Sequence, residues 1–133
     1  MIAQDLGIVL RVLPYSRTSQ IAVWLTRGQG RIATLAKGAY RPRYPDRGEC
    51  DLFYTCELLY YPRETPRLNI LKECCALERR PAFRLQPAAC AGASYLCDLT
   101  ARLCPPAAPH PELFDLLGAA LDALAASRAP APL

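Results

Sequence analysis

The chain has 133 residues, enough for one medium domain or two small ones, and with 52% apolar and 21% charged residues it is not a disordered sequence. The apolar stretches are broken by Arg, Asp or Pro well before the ~18 residues that a membrane span needs, and the N-terminal Met-Ile-Ala-Gln-Asp-Leu-Gly has no basic n-region, so neither a transmembrane helix nor an export signal is expected. The net charge of +4 is unevenly spread: residues 11–47 carry Arg11, Arg17, Arg27, Arg31, Lys37, Arg41, Arg43 and Arg47 against one acid, Asp46. An Arg-rich run of this density suits bidentate phosphate contact and base stacking, whereas the bland alternative is a solvated basic face.

The first eighty residues read as short strands. Residues 6–13 are apolar and β-branched and end at Pro14, and Pro14-Tyr15-Ser16-Arg17-Thr18-Ser19 is turn-rich, with hydroxyls able to bond nearby backbone. Residues 20–26 resume a strand, Arg27-Gly28-Gln29-Gly30 supplies a hairpin turn, and residues 31–37 return. The glycines are turn chemistry rather than a phosphate loop, because no helix pattern follows them. Residues 38–48 hold three Arg, two Pro and two Tyr, too broken for a regular element. Residues 52–61 and 68–77 read as fourth and fifth strands around a turn at residues 61–67. Five short strands with one long connection predict a small closed barrel.

After Pro81 the period changes. Cys90, Ala93, Cys97, Thr100 and Cys104 share one helical face with Leu96 and Leu103 beside them, and Pro105-Pro106 ends that helix. A second helix begins at Pro111, with Glu112 suited to the N-terminal dipole, and stops near Ser127. Its face is Leu113, Leu117, Leu121 and Leu124, joined by Phe114 and Leu116, and it has few evident partners in the sequence.

The seven Cys contain no CxxC and read as reduced thiols. Cys90, Cys97 and Cys104 form a helix seam, adjacent Cys74 and Cys75 point to opposite faces of a strand, and Cys50 and Cys56 lack a second pair at ligand spacing, so no metal site is expected. His110, the single His, sits between prolines, which argues against a triad or a cysteine nucleophile with a His base. Neither a Walker-type loop nor a paired-carboxylate motif is present, so no ATP use, nuclease activity or cofactor is expected.

Leu-Pro-Tyr-Ser-Arg-Thr-Ser (13–19), Leu-Thr-Arg-Gly-Gln-Gly-Arg (25–31) and Ala-Lys-Gly-Ala (36–39), in that order and spacing, resemble the N-terminal domain of the RecO family. These are the bacterial recombination mediators of the RecF pathway. Asp51-Leu52-Phe53 and the Tyr60-Tyr61 strand fall where that family continues. The resemblance implies an α+β fold: a five-stranded OB-fold β-barrel at residues 1–80, followed by a partial α-helical domain at 81–133. It covers the barrel well and the helices loosely. Tyr40 departs from the basic residue that many members carry after the Lys-Gly-Ala motif, and the loop after it is short. The chain ends about halfway along a typical member, before the cysteine cluster that binds zinc in some, so a partial chain is expected.

An OB barrel binds nucleic acid on the face of strands 2 and 3 and through the loops joining strands 1–2 and 4–5. This places Arg17 in the first loop, Arg63 and Arg67 in the second, and Lys37, Tyr40, Arg41, Arg43 and Arg47 just past strand 3, with Tyr15 and Tyr44 interleaved. Lys37, Arg41 and Arg43 are the foremost candidates. Arg31 divides evenly between a DNA contact and a structural pair with an acid such as Glu57, while Trp24, Phe53, Tyr54 and Tyr60 read as barrel packing. The implied function is non-catalytic: binding single- and double-stranded DNA, annealing complementary strands, and assisting recombinase loading. The implied partners are RecR and the tail of the single-strand DNA-binding protein, with no membrane, in a cytoplasmic, nucleoid-associated setting. The competing reading is an adaptor whose barrel and helices mainly dock RecR-like proteins.

Overall fold

The computed structural model describes residues 1–37, 50–63 and 68–127. Five strands are formed: β1 (Ala3–Pro14), β2 (Gln20–Thr26), β3 (Gly30–Ala36), β4 (Thr55–Tyr61) and β5 (Asn69–Glu78). They close in the order β1-β2-β3-β5-β4, with β4 returning to β1. Every pairing is antiparallel except β3 with β5, which meet in parallel only at Thr34 and Leu35. This is the five-stranded OB-fold barrel. Three helices follow: α1 (Ala82–Leu85), α2 (Pro87–Leu103) and α3 (Pro111–Ala126), the last two each opening on a proline whose missing N–H costs nothing in a first turn.

Strand alternation builds two cores from one sheet. Inward-facing Val9, Ala22, Trp24, Cys56, Leu58 and Leu71 fill the barrel, and Trp24 Nε1 donates to Thr34 Oγ1 at 2.9 Å, so the buried indole is satisfied. A Cβ at Gly7 would lie 2.9 Å from the Trp24 ring, so the residue opposite the indole has no side chain. The outer side of β1 and β2 forms the second core: Ile8, Leu10 and Leu25 lie under Phe83, Cys97, Phe114, Leu117 and Leu121. A bulge between Val9 and Arg11 re-aims the end of β1.

The leucine face of residues 113–124, expected to lack partners, is therefore covered by the barrel. Phe114, Leu117 and Leu121 are buried, and Leu113 and Leu124 are partly so. Trp24, Phe53, Tyr54 and Tyr60 are buried as packing residues, and Cys74 is buried while Cys75 is exposed. Cys97 and Cys104 lie in the second core, with Cys104 just past the helix end, whereas Leu103 points outward. Two boundaries shift. β1 starts at Ala3 because Ala3, Gln4 and Asp5 pair with Tyr60, Leu59 and Leu58. β4 starts at Thr55, because Phe53 adopts a left-handed φ of 71° and the chain turns back there onto Val9, whose carbonyl accepts the Phe53 N–H.

Candidate nucleic-acid interface

The strand register places the basic residues at two locations. At one end of the barrel, Pro14 pairs with Gln20 and Gln20 with Ala36, so the β1–β2 loop and the residue after β3 share one rim. The loop is held tightly: the Tyr15 and Ser16 N–H groups donate to Ser19 O, and Ser16 Oγ accepts from the Thr18 and Ser19 N–H groups. Arg17 stands exposed at its tip, beside an exposed Tyr15, and Lys37 is exposed where β3 ends.

Arg31 lies at the far end of β3, about 20 Å from Lys37 at ~3.3 Å per strand residue. It does not pair with Glu57, whose carboxylate accepts instead from Gln4 Nε2. The Arg31 Nε donates to Cys104 O at 2.8 Å, its carbonyl accepts the Ala107 N–H, and its backbone bridges to Pro106. The α2–α3 connection is thereby pinned to the start of β3. It runs so close that a Cβ on Gly30, which has φ 71°, would collide with the Ala108 backbone.

Arg63, exposed beyond β4, reaches this same neighbourhood. Its N–H donates to Asn69 Oδ1 at 3.0 Å, while Asn69 Nδ2 donates to Ala33 O at 3.2 Å. Between the two attachments, at Arg31 and Ala33, β3 lacks a ladder partner on the β5 side, and a cavity of about 330 Å³ opens there. The structure thus brings Arg17 and Lys37 together at the rim, and Arg31 and Arg63 together at the cavity. Tyr40, Arg41, Arg43, Arg47, Tyr44 and Arg67 lie outside the described residues.

Two other arginines are structural. Arg27 pairs with Asp115 at 3.3 Å, tying the β2–β3 turn to α3; that hydrogen bond raises the pKa of its guanidinium. Arg80 is buried between barrel and helices and donates to Asp122, Phe53 O, Thr55 Oγ1 and Gly118 O. Asn69 and Pro106 carry no signal that strand or helix periodicity could have revealed, because their partners are 36 and 75 positions away.

Inside the barrel Cys74 joins Cys50 and Cys56. Hydrogen bonds from the Cys50 and Cys56 thiols hold the Cys74 thiol below the ordinary thiol range, and the same bonds, with burial, push the two donors up. Among the described residues no group of three His, Cys, Asp or Glu side chains is arranged to hold a metal ion. Nor is any helix there long and apolar enough to cross a membrane.

An OB barrel with a basic rim and helices packed on its outer face defines an OB-fold protein with an appended helical segment. Residues 1–80 match the family described as Recombination protein O N terminal, and residues 84–133 the one described as Recombination protein O C terminal. The chain belongs to the RecO family. It is 37% identical over 112 residues to the DNA repair protein RecO of Rhodopirellula baltica, covering 84% of this chain and 41% of that relative. It is 29% identical over 129 residues to the DNA repair protein RecO of Desulforudis audaxviator, covering 97% and 51%. The chain thus spans about half the length of the curated relatives it matches.

Proposed function

We propose that this chain is a non-catalytic DNA-binding part of a recombinational repair protein, with residues 1–80 as the nucleic-acid-binding unit and 81–133 as the start of a helical one. The observation that carries the reading is the rim of the OB barrel. Arg17, Tyr15 and Lys37 stand exposed on one rim, at the loop and strand end where this fold class takes nucleic acid. Cations there neutralise phosphates and release counterions, and an exposed aromatic stacks on any base, so binding tolerates sequence and weakens with salt. Arg41, Arg43 and Arg47 extend the same basic run in the sequence. Strand annealing, recombinase loading and docking to RecR and to the single-strand-binding-protein tail belong to this reading of the whole protein. So does a cytoplasmic, nucleoid-associated setting.

Anisotropy of a fluorescent single-stranded oligonucleotide, titrated across a salt series, tests it. Binding with a steep negative salt slope is expected, and Arg41→Ala with Arg43→Ala weakens it and flattens the slope. Absence of binding even at low salt overturns the reading for this chain. An adaptor function has one observation in its favour: Tyr95, Leu99 and Leu103 recur at i, i+4 and i+8 and are all exposed along α2. DNA binding that vanishes near physiological salt would favour the adaptor.

A further inference from the structure

The cavity beside β3 is built rather than incidental. Its two ends are closed by separate attachments to one strand edge: Asn69 holds the β4–β5 side at Ala33, and Pro106 and Ala107 hold the α2–α3 connection at Arg31. Its volume of about 330 Å³ is at the small end of ligand sites, which suits one compact ligand and not a stretch of polymer. The walls divide by chemistry. Val23, Pro62 and Pro106 give apolar surface, while Arg31 and Arg63 supply two guanidinium groups that pair with no acid among the described residues. Arg31 spends its Nε on Cys104 O, and both of its terminal nitrogens remain for a ligand.

A flat apolar body joined to an anion is the ligand this division fits. We propose that the cavity between β3 and residues 62–63 takes a single nucleotide of a bound strand, its base against Val23 and the two prolines and its phosphate on Arg31 and Arg63. The inference rests on the DNA reading above and extends it. A strand running from the rim at Lys37 along β3 reaches the cavity after about 20 Å, the span of a few nucleotides, at the low end of the ~4–16 that one OB fold occupies. The α2–α3 connection then has a share in recognition, since Pro106 is one of the walls.

The test fills the cavity without changing charge. Ala33→Leu places a larger side chain on the lining of the 133-residue chain, and Arg63→Gln removes one cation and leaves the walls intact. Each variant is titrated with a fluorescent twelve-nucleotide oligo-dT across a salt series, with thermal unfolding as a control. The expected result is that Ala33→Leu weakens binding about fivefold or more, as loss of one buried base contact of about 1 kcal/mol would, with an unchanged salt slope. Arg63→Gln weakens binding and flattens the slope by about one phosphate contact. If both bind like the parent chain while Arg17→Ala with Lys37→Ala weakens binding, the cavity inference falls and the DNA reading stands. If the parent chain binds no oligonucleotide at low salt, both fall. If a labelled acidic peptide is the ligand lost in both variants while oligo-dT binding is unchanged, the cavity belongs to a protein partner and the inference is overturned. Should Ala33→Leu not fold, Arg63→Gln alone decides.

Discussion

The seam between barrel and helices and the rim at the ends of β1, β2 and β3 both depend on arginine, for opposite reasons. At the seam the Arg80 side chain is 4% exposed and is surrounded by two backbone carbonyls, a hydroxyl and the Asp122 carboxylate. At the rim Arg17 stands on a five-residue loop that is braced by its own backbone and by Ser16. A guanidinium taken out of water must have its donors satisfied by the protein, so Arg80 is committed to the fold. One left in water keeps its donors for a phosphate. Burial and pairing therefore separate these two arginines where charge count cannot.

The largest expected effect breaks the seam. Arg80→Ala takes the buried donor from Phe53 O and Thr55 Oγ1 and lowers unfolding free energy by about 3 kcal/mol in urea denaturation. Arg80 also sits at a left-handed φ of 48°. Arg80→Gly, which loses the same bonds but tolerates that backbone, is expected to remain roughly 0.5–1 kcal/mol more stable than Arg80→Ala. The reverse order would show that the backbone at this position is unstrained.

A smaller effect concerns Cys97, which lies in the same seam. Burial pushes its thiol from 9.0 up to about 12, with the Arg80 charge acting weakly in the opposite sense. Between those values the unfolded chain has released the proton and the folded chain has not. Stability is thus complete below pH 9 and is lost as pH rises towards 12, by up to ~1.4 kcal/mol per pH unit from this group. Urea midpoints measured across that range are expected to fall less steeply for Cys97→Ala. Parallel curves would mean that the thiol ionises in the folded chain.

The smallest effect on stability belongs to the rim. Arg17→Ala and Lys37→Ala each move the unfolding free energy by less than about 0.5 kcal/mol, while each flattens the salt slope of oligonucleotide binding by about one unit. Loss of stability comparable to Arg80→Ala would erase the distinction between rim and seam.

Much of the barrel was legible because strand periodicity is local. Residues 20–26 carry the β-branched and aromatic pattern of β2 over its full observed length, and the glycines at 28 and 30 mark its turn. The rim was partly legible for the same reason: a Ser-rich loop after Pro14 carries Arg17, and Lys37 follows the return strand. Arg31 was not. Its partner, Cys104 O, is a backbone atom 73 residues away, and no side-chain pattern announces a carbonyl. The cavity was equally hidden, because it exists where β3 fails to pair with β5 and where a later loop crosses it.

Sequence by itself determined the strands, the turns, the start and end of the last helix, the concentration of cations between residues 11 and 47, and the motifs that mark the family. These depend on neighbours a few positions apart, through pleat, helix pitch and turn stereochemistry. Only the tertiary structure decided that the leucine face of α3 closes on the outside of β1 and β2, that Arg80 and the backbone and Nε of Arg31 serve the fold, and that Arg63 joins Arg31 at one cavity. Those contacts depend on where closure of the barrel carries the chain, and the burial and partners of each cation are properties of that path.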